Sequence, residues 1–236
     1  MAAIVRNRFY FTVAVALALL VAFGFTRTFY ARPLFDLPPL PTMLQLHGAV
    51  FTAWFLLFVT QTRLIAKHRI KAHMTLGIVG AVLALFVVIL GVITAFESSL
   101  ATRPRALGLT SPQFIIIPLI GIAQFAVFVG VALALRRRAS LHKRFMVLAM
   151  IGVLGPPVAR LMALAGAGDH FLAIQTSVPA LLVICCLIND WRKHHIVHPV
   201  YAYGGAFLVI SWPLRVMLAR TDAWAVVSGS IVRLVS

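Results

Sequence analysis

The stretch MTLGIVGAVLALFVVILGVITAF, residues 74–96, runs for 23 residues without a charged side chain. A helix rises about 1.5 Å per residue, so about 20 apolar residues cross the hydrocarbon layer of a bilayer. The stretch is long enough to do so. Its apolar character is continuous, whereas a strand of a membrane β-barrel alternates with a period of two. It therefore predicts a membrane-spanning helix.

The rest of the chain repeats this pattern. Of its 236 residues, 62% are hydrophobic and 11% are charged, whereas soluble domains carry about 25% charged residues. Such a composition requires lipid as the solvent for much of the chain, and it predicts an all-α polytopic transmembrane bundle of seven spans. We expect the spans at residues 9–26, 43–62, 74–96, 114–135, 145–165, 171–188 and 200–218.

The basic residues predict how this bundle is oriented. With the N-terminus in the cytoplasm, most Lys and Arg side chains fall on the cytoplasmic side, as the positive-inside rule requires. Four of the five acids then fall on the other side, together with the C-terminus. The basic residues placed in the cytoplasm are Arg6, Arg8, Arg63, Lys67, Arg69, Lys71, Arg136, Arg137, Arg138, Lys143, Arg144, Arg192 and Lys193. No basic domain stands outside the spans, which excludes a nucleic-acid partner.

The three cytoplasmic connections resemble one another. Each carries a basic stretch and a histidine that opens the next span: His73, His142 and His198. We expect three related helical hairpins, spans 2–3, 4–5 and 6–7, after an extra first helix. Residues 1–222 then form a single transmembrane domain, and residues 223–236 form a short tail at the outer membrane interface. The triplet at residues 155–157, Gly-Pro-Pro, predicts a kink in span 5.

Four polar residues in four spans lie at a similar predicted depth. Arg160 and Arg215 each lie about 15 residues into their spans, or roughly 22 Å from the cytoplasmic edge. His47 and Gln175 lie about four residues from the outer ends of spans 2 and 6, or about 6 Å deep. Polar groups inside a bilayer are costly and mark functional sites. These four residues are therefore the candidate ligand-binding residues.

Two interpretations of these residues compete. In one, both arginines extend outward to lipid phosphates, and the other two side chains satisfy each other or backbone carbonyls. In the other, all four line an outward-facing pocket, whose guanidinium groups suit a carboxylate, a phosphate or a haem propionate, and whose histidine suits a quinone carbonyl or iron. Residues near the rim would pair with the arginines instead: Arg32, Glu97, Asp169 and His170.

Metal and cofactor sites find weaker support. A haem with two histidine ligands would pair His47 with His170, which lies about 6 Å shallower by the helical rise and fits poorly. On the cytoplasmic side, His194 and His198 are spaced as metal ligands on one helix face. The surrounding Lys and Arg side chains repel cations, so these histidines are expected to orient helices. No motif of a soluble-type active site is present, and we expect no catalysis.

Two segments resemble known bacterial groups. LHGAVFTAWFLLFVTQTRLIAKHRIKAHMTLGIVGAVL, residues 46–83, resembles a widespread group of bacterial multi-span proteins in which an early histidine precedes a basic loop and an H-x-x-x-G helix start. RRRASLHKRFMVLA, residues 136–149, is similar to small membrane proteins implicated in haem–copper oxidase maturation. The second likeness covers one hairpin and implies a respiratory or haem-linked accessory role without assigning a catalytic residue.

These observations predict a non-catalytic protein of the bacterial inner membrane. It would bind a lipid-like, quinone-like or anionic ligand near the outer leaflet, in contact with membrane lipids and as an accessory or assembly subunit of a larger membrane complex. One alternative is a membrane-embedded oxidoreductase that uses haem or quinone. Another is a purely structural subunit.

Overall fold

The computed structural model describes residues 2–100 and 106–235, with side chains from Arg8 onward except those of residues 106, 194, 234 and 235. These residues are almost entirely helical and contain no strand. Within these residues seven helices are long and apolar enough to cross a membrane, which confirms the prediction of an all-α, seven-span chain. The spans are Arg8–Tyr30, Thr42–Ala66, Ile70–Leu100, Ser111–Ala134, Ala139–Leu164, Gly168–Lys193 and Val200–Ala219.

The helices that build these spans are numbered in chain order. Several spans contain more than one helical segment, because a π-helical or 3₁₀ turn or a proline interrupts them. The helices are α1 (Ala2–Phe25), α2 (Thr42–Ala66), α3 (Ile70–Leu100), α4 (Ser111–Phe114), α5 (Ile116–Ala134), α6 (Ala139–Gly152), α7 (Gly155–Leu164), α8 (Phe171–His194), α9 (Gly205–Ala219) and α10 (Asp222–Val235).

The chain divides into two compact units, one up to Leu90 and one from Gly91 onward. In the first unit α1 packs against α2, and Leu17 and Trp54 are among its buried side chains. The outward side chains of α3 are large and apolar, as Ile78 at 70% exposure illustrates. Lipid solvates such a face at no cost, whereas water does not.

The second unit contains the larger core. Here α5 packs against α6, and α9 packs against both α5 and α8. Phe125, Leu148, Tyr201 and Leu208 are almost completely buried between these helices. Side chains from spans 4, 5 and 7 therefore fill one interior, and this interior holds the polar groups described below.

Span 5 is broken at the predicted kink. α6 ends at Gly152 and α7 begins at Gly155. Pro156 and Pro157 occupy the first turn of α7, where a missing backbone N–H is tolerated because N–H groups there have no acceptor within the helix. The same prolines cannot donate to the carbonyls of Gly152 and Val153, so α6 cannot continue into α7 as one regular helix.

The C-terminal segment forms the amphipathic helix α10. It packs against the short helix α4, and the indole Nε1–H of Trp224 donates to the carbonyl of Gln113 at 3.0 Å. Ser228 is completely buried, whereas Val226 is 68% exposed. With 14 residues the helix is shorter than a span. The location of this tail at the outer membrane interface stays a prediction. The same holds for the single domain formed by residues 1–222.

Candidate functional site

Arg215 lies inside the second unit, with only 2% of its surface exposed. Its Nη2 donates to the Oε1 of Gln124 and, at 3.1 Å, to the Oγ of Ser211. Its Nη1 lies 3.4 Å from the carbonyl oxygen of Ile117, and its Cζ lies 5.0 Å from the centre of the Trp212 ring. The guanidinium therefore sits between α9 and α5 and contacts neutral acceptors.

The direction of the Arg215 side chain follows from its helix. Side chains on a helix lean toward the helix N-terminus, and Ser211 lies one turn earlier on α9. The guanidinium is therefore farther from the Ala219 end of the span than its own Cα. Gly121 on α5 leaves room for it, since a Cβ at this glycine would stand 3.4 Å from Nη1. Arg215 does not extend outward to lipid.

Gln175 is also buried, with 1% exposure. Its Nε2 donates to the carbonyl of Gly155 at 2.9 Å, at the start of α7 where the break in span 5 begins. The ring of Trp212 packs so closely on Gly155 that a Cβ there would stand 2.8 Å from its Cζ2 atom. Trp212 thus contacts the Arg215 guanidinium as well as the backbone that Gln175 binds.

These contacts join spans 4, 5, 6 and 7 into one buried polar group, which we call the Trp212 cluster. It contains two of the four predicted ligand-binding residues, Gln175 and Arg215. Gln124 was not predicted as a site residue, although it is the one polar side chain in α5 and a polar group within a span requires a partner. The members of the Trp212 cluster are Gln124, Gly155, Gln175, Ser211, Trp212 and Arg215.

Three polar atoms of the Trp212 cluster are buried without a hydrogen-bond partner among the described residues. They are the Nε of Arg215, the Nε2 of Gln124 and the Oε1 of Gln175. A buried polar group without a partner costs about 1–3 kcal/mol, and native structures contain few of them. Two donors and one acceptor are therefore available to a bound molecule.

The charge of Arg215 is also uncompensated. Arg144 pairs with Asp190, whereas no described carboxylate lies within 4.0 Å of Arg215. Burial of an unpaired charge is expensive. The Gln124, Ser211 and Ile117 oxygens offset part of that cost with dipoles, but they supply no negative charge. The arrangement suits a ligand that carries an acceptor oxygen, above all an anionic one.

The other two predicted residues contact their own helices. His47 is half-buried in the first unit, and its ring lies 4.4 Å from that of Phe51, one turn later on α2. Arg160 is half-buried, and its Nη1 donates to the carbonyl of Pro156 at 3.1 Å, one turn earlier on α7. Gln175 and Arg215 are joined through Gly155 and Trp212. His47 and Arg160 take no part in those contacts.

The predicted rim residues do not form ion pairs in the described part of the chain. Arg32 donates to the carbonyls of Thr28, at 3.1 Å, and of Pro38, and so holds together the connection between spans 1 and 2. Glu97 and Asp169 are exposed, and neither takes part in an ion pair with a described residue. His170 is exposed as well.

A second buried polar group, at the opposite end of the second unit, was not foreseen. Asp190 near the end of α8 accepts from the Nε of Arg144 on α6 at 2.7 Å, and both side chains are almost fully buried. The Nη1 of Arg144 donates to the carbonyl and the hydroxyl of Ser140, both at 2.6 Å. The sequence contained a signal for this pair. Asp190 is the one acid among the predicted cytoplasmic segments, and a single acid among many basic residues indicates a specific basic partner.

The histidines of the basic connections stabilise helix ends. The Nδ1 of His142 lies 2.8 Å from the carbonyl of Ala132, so it donates back to the preceding helix. The Nδ1 of His198 accepts from the backbone N–H of Val200 at 3.2 Å and caps the first turn of span 7. The amide of Gln61 lies 2.6 Å from the Nδ1 of His73, and the orientation that satisfies both groups has the amide nitrogen donating to the ring. These contacts agree with the expectation that the histidines orient helices.

The predicted weak metal site is not formed by described side chains. The side chain of His194 lies outside the described residues, and His198 uses its Nδ1 as a cap. No group of three or more His, Cys, Asp or Glu side chains within the described residues is placed to hold a metal ion.

No family model, no curated protein and no solved structure matches this chain. The resemblance of residues 46–83 and 136–149 to bacterial membrane proteins stays a prediction. A proposal for the function therefore has to be based on the chemistry of the Trp212 cluster.

Proposed function

We propose that this protein is a non-catalytic, multi-pass protein of the bacterial inner membrane that binds a lipid-like, quinone-like or anionic ligand at the Trp212 cluster. One observation supports it most strongly: Arg215 is buried to 2% exposure without a described carboxylate partner, and its own Nε and the Nε2 of the neighbouring Gln124 have no acceptor. A ligand oxygen would provide the missing acceptor, and an anionic ligand would also neutralise the charge.

The position of the cluster restricts the kind of ligand. All of its members belong to segments long and apolar enough to span a membrane, so a ligand reaches them through lipid or between helices. A strongly hydrated solute would lose its water on that route, whereas an amphiphile would bring its polar end to the cluster and leave its apolar part among apolar side chains. An accessory or assembly role in a larger membrane complex fits a protein that binds such a molecule without changing it.

The test is to identify what the purified protein carries. The chain is purified in a mild nonionic detergent, and its bound molecules are measured by native mass spectrometry and by analysis of an organic extract. We expect a stoichiometric small molecule with an acidic or carbonyl group in the wild type and its loss in Arg215→Leu. Arg220→Leu is the matched control, because Arg220 lies five residues later and is exposed.

The outcomes separate the alternatives. Equal ligand content in the wild type and Arg215→Leu would refute binding at the Trp212 cluster. The absence of any bound molecule, together with an unchanged unfolding temperature on addition of quinones or acidic lipids, would favour a structural subunit. A Soret band that shifts on reduction and disappears in His47→Ala would favour the haem-containing oxidoreductase instead.

A further inference from the structure

We infer that the Trp212 cluster takes the carboxylate of a single-chain amphiphile, the chemical class of the long-chain fatty acids. This inference rests on the proposed function and narrows its ligand. The carboxylate oxygens would accept from the Nε of Arg215 and the Nε2 of Gln124, and the acyl chain would lie among the apolar side chains of the spans.

The two donors belong to two groups that are in contact with each other. Nε and Nη2 belong to the same guanidinium, and Oε1 and Nε2 belong to the same amide. The hydrogen bond from Nη2 to Oε1 joins these two planar groups, so the N–H groups without acceptors flank one contact. A carboxylate presents two oxygens a short distance apart and matches such a pair. A hydroxyl or a single carbonyl presents one oxygen.

The charge balance favours the same class. The Trp212 cluster contains one cation, Arg215, and no anion. A carboxylate contributes one negative charge and leaves the occupied site neutral, which removes much of the cost of burying the guanidinium. A quinone or an alcohol leaves that charge uncompensated. The dianion of a phosphate monoester would leave an excess negative charge.

The depth of the site limits the headgroup to a small one. Gln124 is eight residues from the first residue of α5 and ten from the last, or roughly 12 and 15 Å along the helix. A phospholipid headgroup would have to bring its glycerol and second chain to this depth. A carboxyl group at the end of a single chain carries no such bulk. Gln175 Oε1 is an acceptor and takes no part in binding the anion.

Direct binding of a radiolabelled fatty acid tests the inference. Tritiated palmitate is titrated against the purified full-length protein in detergent micelles, with unlabelled palmitate, cetyl alcohol, methyl palmitate, acetate and decylubiquinone as competitors. We expect saturable binding that unlabelled palmitate alone displaces. Equal competition by the alcohol, the ester or the quinone would overturn the carboxylate assignment while leaving ligand binding at the cluster intact. Equal competition by acetate would overturn the requirement for a chain.

The sharpest variant supplies the carboxylate from within the protein. Gln124→Glu places an anion beside Arg215, where the amide oxygen of Gln124 lies in the wild type. This internal carboxylate should replace the ligand and weaken palmitate binding about tenfold to hundredfold, the equivalent of one charge-assisted hydrogen bond. Gln124→Leu should weaken binding to a similar degree by removing one donor. Gln45→Glu is the matched control, because Gln45 is exposed on α2.

The thermal unfolding of each variant distinguishes a loss of binding from a loss of fold. We expect Gln124→Glu to unfold at or above the wild-type temperature, because it neutralises Arg215. Wild-type palmitate affinity in a folded Gln124→Glu variant would overturn the inference. If neither palmitate nor decylubiquinone binds saturably and nothing co-purifies with the wild type, the proposed function fails together with it.

Discussion

Arg144 and Arg215 are both about 2% exposed, but their surroundings differ in one respect. Arg144 donates to a carboxylate, that of Asp190, and to Ser140. Arg215 donates to neutral oxygens and keeps an Nε without a partner. The first arrangement is internally neutral and therefore structural, whereas the second is one charge and two acceptors short. That difference is why we assign helix joining to the Arg144–Asp190 pair and propose ligand binding at Arg215.

Removal of one partner of the structural pair should be costly. Asp190→Ala leaves the guanidinium of Arg144 buried without its counter-charge, and breaking such a pair costs about 3–5 kcal/mol. We expect the free energy of unfolding, measured by titration with a denaturing detergent, to fall by that amount. Asp169→Ala is the control, because Asp169 is exposed and forms no ion pair with a described residue.

Replacement of both partners gives a complementary result. The double variant Arg144→Met, Asp190→Leu removes both charges and fills similar volume with apolar atoms, so it should recover most of the stability that Asp190→Ala loses. A double variant as unstable as the single one would show that Arg144 and Asp190 stabilise the fold through contacts other than their mutual attraction.

At the scale of single elements, prolines and glycines decide where helices break and how closely they approach. Span 5 divides at the Gly-Pro-Pro triplet, and this break brings the carbonyl of Gly155 to Gln175. Span 7 begins with a π-helical turn, Val200–Gly204, followed by Gly205. The sequence predicted the first of these features because proline acts locally. At Gly205 the helix α9 approaches α8 closely. This approach depends on which helix packs there, so the local sequence does not predict it.

The glycine at that approach provides a test of helix packing. A Cβ at Gly205 would overlap the Cγ1 atom of Val183 on α8, and a β-branched side chain has little rotamer freedom with which to yield. Gly205→Ala should therefore lower the free energy of unfolding by about 1–3 kcal/mol. Gly130→Ala on α5 meets no atom within 4 Å and should leave stability unchanged or raise it by up to about 1 kcal/mol. Equal effects of the two changes would contradict the packing of α8 on α9.

At the scale of the whole molecule, seven helices long and apolar enough to cross a membrane predict that the two ends of the chain lie on opposite sides of it. The basic connections predict which side is which. In a background without Cys185 and Cys186, Ala223→Cys should react with a membrane-impermeant maleimide in intact cells. Arg137→Cys should react only after the membrane is permeabilised. Both positions are exposed. The reverse labelling pattern would invert the topology, and equal labelling would contradict seven spans.

The sequence alone determined the number of spans, their approximate limits, the kink in span 5 and the choice of Gln175 and Arg215 as candidates. Each depends on a local property: the length of an apolar run, the chemistry of proline, or the cost of a polar group within a span. The estimate of depth from the position of the Cα was less informative, because the Arg215 side chain leans back toward Ser211.

Only the tertiary structure decided which polar groups meet. Gln124 and Arg215 are 91 positions apart, and Arg144 and Asp190 are 46 apart, so their pairing depends on which faces of separate helices pack together. Hydrophobicity sets which segments enter the membrane but does not distinguish one apolar helix face from another. Steric fit and the pairing of buried polar atoms determine which faces pack together. In this packing the Nε of Arg215 has no acceptor among the described residues.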